Sequence, residues 1–199
     1  MTSASPVLLA IHYQNENCHP DGKIKVGIAA NAPWREERLN NAKRLFEGLR
    51  NLDIDIVHIR LAVDPQYRDV VVNTPLIKEW VALQAWQENT WGTEFVAGLE
   101  PADGELVITH TRNSVFHGCS LHDALIAMNA GRLYLAGVST AYAVEGSARH
   151  ATDIGYEVTV VSDACATATQ QQHHNALEAL SRLGEIRSVD ETLAELTHT

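Results

Sequence analysis

Apolar residues along this chain fall in short continuous runs separated by amphipathic stretches. Val7-Leu-Leu-Ala-Ile-His12, Ile54-Asp-Ile-Val-His-Ile59, Leu106-Val-Ile-Thr-His110, Leu133 to Val138 and Glu157-Val-Thr-Val-Val-Ser162 have the length and texture of strands buried on both faces of a parallel sheet. Between them, Glu36 to Arg50 sets Leu39, Ala42, Leu45, Phe46 and Leu49 at helical spacing with charges in between. Further helices are expected over Pro75 to Gln87, Ser120 to Asn129 and His174 to Leu183, then a short last strand over Ile186 to Val189 and a helix over Glu191 to Leu196. Alternation of this kind predicts an α/β fold: a doubly wound parallel sheet with helices on both faces, three-layered and Rossmann-like, as one domain over residues 1–199.

The stretch from Arg132 to Tyr156 organises the rest. It reads as a strand, a tight Gly-Val-Ser-Thr turn and a helix with Ala141, Ala143, Ala148 and Ala151 as small residues. Such a turn aims the first helical N–H groups at the carboxyl edge of the sheet, where open α/β proteins bind small ligands. His12 and His110 are expected at two other strand ends on that edge, and His58 within a strand.

A net charge of -10, with Lys and Arg scattered, excludes a nucleic-acid partner, which needs a clustered cationic surface. The opening Met-Thr-Ser-Ala-Ser-Pro has no cationic segment and Val7 to Ile11 is too short to span a bilayer, so a cytoplasmic chain without a membrane partner is expected. Cys18, Cys119 and Cys165 are widely and irregularly spaced, which fits reduced thiols better than disulfides or a zinc knuckle.

Four segments in order resemble the isochorismatase-like hydrolase family, which includes nicotinamidases and N-carbamoylsarcosine amidohydrolases. They are Leu8-Leu-Ala-Ile-His-Tyr-Gln-Asn-Glu16, Val107 to Gly118 with Leu121, Gly137-Val-Ser-Thr-Ala-Tyr-Ala-Val144, and Asp163-Ala-Cys-Ala-Thr167 followed by His174 and Ala176-Leu177. The resemblance implies a triad of Asp, Lys and Cys, but those positions fall on His12, His110 and Ala143. It also implies an oxyanion hole of main-chain N–H groups near Ser139 and Ala143, a cis peptide at Val138–Ser139, and a homo-oligomer, dimer or tetramer, with Trp80, Trp86 and the organising helix as interface surfaces.

An amidase of that type needs a thiolate, and Ala143 cannot attack anything. The backbone donors survive the loss of the side chain. The catalytic expectation is therefore a hydrolase or lyase acting on a small amide, ureide, enol ether or ring, with His12 and His110 as base and acid, one ring neutral and the other protonated. Gln14, Trp91, Phe116, Cys119, Ser139, Thr140 and Tyr142 are the expected substrate-binding residues. No cofactor or metal is expected: Glu16 with two histidines would make a three-ligand set, but the spacing gives it no support. The competing expectation is a pseudoenzyme whose retained pocket binds a small ligand or a partner. The His173-His174 pair is expected on a solvated surface.

Overall fold

The structure is a computed structural model in which residues 4–198 are described. Six strands, β1 (Ser5–Ile11), β2 (Asp55–Leu61), β3 (Leu106–His110), β4 (Ala130–Gly137), β5 (Glu157–Val161) and β6 (Glu185–Arg187), form one parallel sheet in the order β3-β2-β1-β4-β5-β6. The helices are α1 (Asn15–Cys18), α2 (Arg35–Asn51), α3 (Pro75–Leu83), α4 (Leu121–Ala127), α5 (Glu145–Asp153), α6 (Gln170–Leu180) and α7 (Val189–Thr197). No helix among the described residues is long and apolar enough to cross a membrane.

The continuous apolar run of β1 exists because both its faces are covered. Val7, Leu9 and Ile11 join the core that also takes Leu121 and Leu125 of α4 and Ala148 and Ala151 of α5. Leu8 and Ala10 point the other way, into the core with Ala42, Leu45, Phe46 and Leu49 of α2 and Val189 and Leu196 of α7. Full burial of each Val, Leu or Ile here stabilises by roughly 1.5–3 kcal/mol, and truncating Leu9 to alanine would cost about 2–5 kcal/mol.

Helix ends differ from the expected boundaries where local chemistry sets them. Gln84 takes a left-handed conformation and ends α3 short of Gln87. The Thr169 side chain accepts from the Gln172 N–H and starts α6 at Gln170, ahead of His174. Ser188 and Glu191 form a reciprocal capping box, so Val189 opens α7 instead of ending a strand.

The chain leaves β1 toward β2 and β3, then returns across the sheet to β4, so the strand order reverses between β1 and β4. The crevice outside the carboxyl ends of those two strands is where ligands bind in open α/β sheets. Gly137 lets the ends close together, since a Cβ there would lie 2.2 Å from the Ile11 carbonyl oxygen. A third apolar cluster, with Ile24, Leu61, Ile77, Trp80 and Trp86, packs at this edge. Trp80 and Trp86 are only 3% and 2% exposed, which corrects the expectation that they offer a surface to a partner subunit.

Candidate functional site

His12 follows β1 directly and has a left-handed backbone, φ 52°, which ends the strand and takes its ring off the strand's side-chain alternation. Its backbone N–H still donates to the Ile59 carbonyl at 3.0 Å, holding it against β2. His110 closes β3 beside Leu61 of β2. The two side chains meet across the intervening strand: Nε2 of His12 lies 2.5 Å from Nε2 of His110, and the rings stack at 4.8 Å between centroids.

Both rings are buried, at 3% and 2% exposure. Burial, reinforced by the facing His110, holds His12 well below the usual imidazole range. Burial likewise brings His110 down to about 4, against a smaller opposing effect of the Ser114 backbone. Both rings are therefore neutral at pH 7, which replaces the expected neutral and protonated pair with two neutral tautomers. A contact this short between two ring nitrogens requires one Nε2 to carry the proton and the other to accept it. Nδ1 of His110 is buried without a hydrogen-bond partner among the described residues, while His12 lines a cavity.

That cavity has a volume of about 30 Å³ and opens to the surface. Its polar lining is His12, Asn17, Asn113 and Ser139. Val138, Tyr142 and Ala143 close it from the β4 side, and Ile24, Val26, Leu61, Leu76, Trp80 and Trp86 form the opposite wall. The peptide between Val138 and Ser139 is cis. Thr140 to Val144 then form one π-helical turn before α5, a local widening that recurs at functional sites. Asn17 donates to the Val138 carbonyl at 2.9 Å, Ser139 Oγ lies 2.5 Å from Thr167 Oγ1, and Thr140 Oγ1 lies 2.9 Å from His173 Nδ1. These bonds fix the turn from behind.

Of the residues expected to touch a substrate, Ser139 and Tyr142 line the cavity with Ala143, and the others lie elsewhere. The Gln14 amide is spent on backbone: it accepts from the Leu61 N–H at 2.8 Å and donates to the Leu61 and Thr93 carbonyls at 2.9 Å. Trp91 is 47% exposed and packs edge-on against His19. Phe116 belongs to the core beside His150 and Tyr156. Cys119 donates its S–H to the Val115 carbonyl, and Thr140 faces His173. His173 is buried at 9% exposure, which corrects its expected solvated position. Burial pushes the Cys18 and Cys165 thiols up to about 12, so neither supplies a thiolate at neutral pH.

Sequence reasoning missed Asn17, Asn113 and the two tryptophans as cavity residues. A signal for Asn17 was present, since it lies five residues after His12 in the segment that leaves β1. The Glu16 carboxylate accepts from the backbone N–H groups of Lys23 and Trp86, tying together two segments of the cavity's wall. No cluster of three or more metal-ligating side chains occurs among the described residues.

A family model described as the isochorismatase domain matches residues 6–191. The chain belongs to the isochorismatase family. It is similar to an uncharacterized isochorismatase family protein of Escherichia coli O157:H7, YecD, at 32% identity over 110 residues, 55% of this chain and 57% of that protein. The chain thus matches little more than half the length of that relative. Its fold is shared with a cysteine hydrolase from Pseudomonas syringae pv. phaseolicola, with a TM-score of 0.85 at 16% identity over 97% of this chain and 92% of that one. An N-carbamoylsarcosine amidase from Thermoplasma acidophilum superposes with a TM-score of 0.75 at 20% identity, covering 94% and 97%. Within the isochorismatase family, then, this chain has two touching histidines and an alanine at the edge where its sheet reverses order.

Proposed function

We propose that this chain is a small-molecule hydrolase that uses His12 as general base in place of a cysteine nucleophile, with His110 as the second ring of a proton-sharing pair. The observation that carries this reading is the 2.5 Å contact between two neutral imidazoles, one of them at the wall of a cavity that Ser139 and Ala143 also line. Ala143 has no attacking atom, so the nucleophile is water. Nδ1 of His12 takes a proton as the water oxygen bonds to the substrate's carbonyl carbon. The charge this creates is shared through the His12 Nε2–H with Nε2 of His110. Negative charge gathers on the former carbonyl oxygen, opposite the backbone N–H groups of Ser139 and Ala143. When the adduct collapses, Nδ1 returns its proton to the departing group and the pair ends as it began. Because burial depresses both imidazoles, the base form persists through neutral pH and is lost only in acid.

The test is a screen of amides, ureides, enol ethers and small cyclic compounds against the natural chain, His12→Ala and His110→Ala. The expected result is a turnover that His12→Ala lowers by about 10²–10⁴-fold. Turnover retained in both variants overturns the reading. Binding without turnover by the natural chain would favour the pseudoenzyme instead.

A further inference from the structure

The cavity beside His12 has a buried inner end and an open rim. His12, Ser139 and Ala143 are buried, whereas Val26, Leu76 and Tyr142 are half-buried and Asn113 is exposed. The rim thus carries two polar side chains, Asn113 and Tyr142. Neither the Asn113 amide nor the Tyr142 hydroxyl has a hydrogen-bond partner among the described residues, and the hydroxyl is not among the buried atoms left without one, so it meets solvent. Nδ1 of His12 is in the same position: unlike Nδ1 of His110, it is unbonded without being withheld from solvent. The other polar groups of the lining are already engaged, Asn17 by the Val138 carbonyl and the Ser139 hydroxyl by Thr167. What remains for a ligand is one base, one amide and one hydroxyl.

Charge restricts what enters. No Lys, Arg, Asp or Glu lines the cavity. The cations next to its rim residues turn onto neutral oxygens: Lys25, beside Val26, onto the Gly22 carbonyl, and Arg112, beside Asn113, onto the Val71 carbonyl and the Asn73 side chain. A carboxylate or an ammonium entering here would lose hydration and meet no opposite charge in the lining. An asparagine amide offers a donor and an acceptor side by side, and a tyrosine hydroxyl can serve as either. A ligand whose N–H adjoins a carbonyl matches both halves of that amide. A carboxylate sets its lone pairs against the Asn113 oxygen, and an ether has no donor to give it.

We propose that Asn113 and Tyr142 are specificity-determining residues of this site, selecting a small uncharged substrate in which an N–H adjoins a carbonyl, as in a primary amide or a ureide, over carboxylates, amines and ethers. This rests on the His12 reading above and extends it to substrate class. A cavity of about 30 Å³ admits the reacting group and leaves the remainder of the molecule at the rim.

The experiment follows the Asn113 side-chain amide and Tyr142 ring signals by NMR while the labelled protein is titrated with propionamide, propionate or propylamine, three molecules of similar size and different charge. Propionamide should move both sets of signals, and the two charged compounds should move neither. Asn113→Leu and Tyr142→Phe should each weaken propionamide binding about tenfold. Asn113→Asp keeps the shape but presents acceptors alone, and it should reverse the order so that propylamine, as its cation, binds better than propionamide. Asn113 is exposed, so its variants should keep the urea midpoint of the natural chain. Signals unmoved by propionamide, an equal response to propionate, or undiminished binding by both Asn113→Leu and Tyr142→Phe overturns the assignment. These readouts do not pass through chemistry, so the two proposals fail separately. His12→Ala should keep the binding order while losing turnover, and His12-dependent turnover of a carboxylate-bearing substrate in preference to its amide would end the rim assignment alone.

Discussion

The sheet holds two buried histidine arrangements, and they differ in how completely each is bonded. His58, in the middle of β2, places Nε2 2.7 Å from Glu105, which also binds Arg50 through both oxygens at 2.8 and 2.9 Å and accepts the Ala102 N–H. Phe46 and Phe95 meet the His58 ring edge-on, and no side-chain polar atom of the three residues is left buried without a partner. Burial would raise Glu105, but Arg50, the Ala102 N–H and His58 together bring it down to about 2. Among the described residues the His12–His110 pair has no carboxylate on either ring and leaves one nitrogen without a partner, and it borders a cavity. A histidine that reads alike in two strands is a closed structural cluster in one place and an open pair in the other. Size alone does not mark the difference: a hollow of about 390 Å³ lies at the amino edge, by Arg132 and Tyr134, but the Arg132 guanidinium is engaged by Glu157 and Glu195.

The contrast breaks most readily on rates. His12→Ala should lower any turnover by about 10²–10⁴-fold, whereas His58→Phe should leave it within a few-fold, as steady-state kinetics on purified variants would record.

Next in size is the pH dependence of stability. The folded-state pKa of His110 is lowered, to about 4, so between there and its unfolded value near 6.5 the unfolded chain binds more protons and stability rises with pH. The neutral ring's contribution is complete above about pH 6.5. It is lost as the pH falls toward 4, by on the order of 3 kcal/mol for this one group. Urea denaturation at pH 7 and pH 4.5 should show the loss, and His110→Gln should flatten it. A slope unchanged in that variant would remove the pair's claim to be buried and neutral.

Opening the closed cluster with Glu105→Gln should cost about 2 kcal/mol, because Arg50 and His58 would lose their anionic partner in a partly screened setting. The urea midpoint measures it, with turnover unchanged. Smallest of all, Arg149→Ala removes an exposed pair with Glu145 on α5 and should shift stability by less than about 0.5 kcal/mol.

The strands were legible because β1, β2 and β4 are buried on both faces and so write themselves as unbroken apolar runs. The convergence of His12 and His110 was legible too, since each ends a parallel strand and all such ends share one edge. Their neutrality was not, because it depends on how deeply neighbouring segments bury both rings. Gln14 was misread for a related reason: its amide sits at the edge, yet the Leu61 and Thr93 backbone groups consume it. Trp80 and Trp86 fell within the helix expected over Pro75 to Gln87, but nothing in that spacing tied them to His12, and only packing at the edge brings them there. Phe116 and Trp91 adjoin the key turns in sequence, but one faces the core and the other solvent.

The most direct measurement is ¹⁵N NMR of the histidine ring nitrogens across pH 4 to 8. The account predicts that His12 and His110 both remain neutral through pH 6, with one Nε2 of the pair protonated and the other bare. If either ring gained a proton near pH 6.5 with the ordinary imidazole response, or if both Nε2 atoms carried hydrogen at neutral pH, the proton-sharing pair would be contradicted.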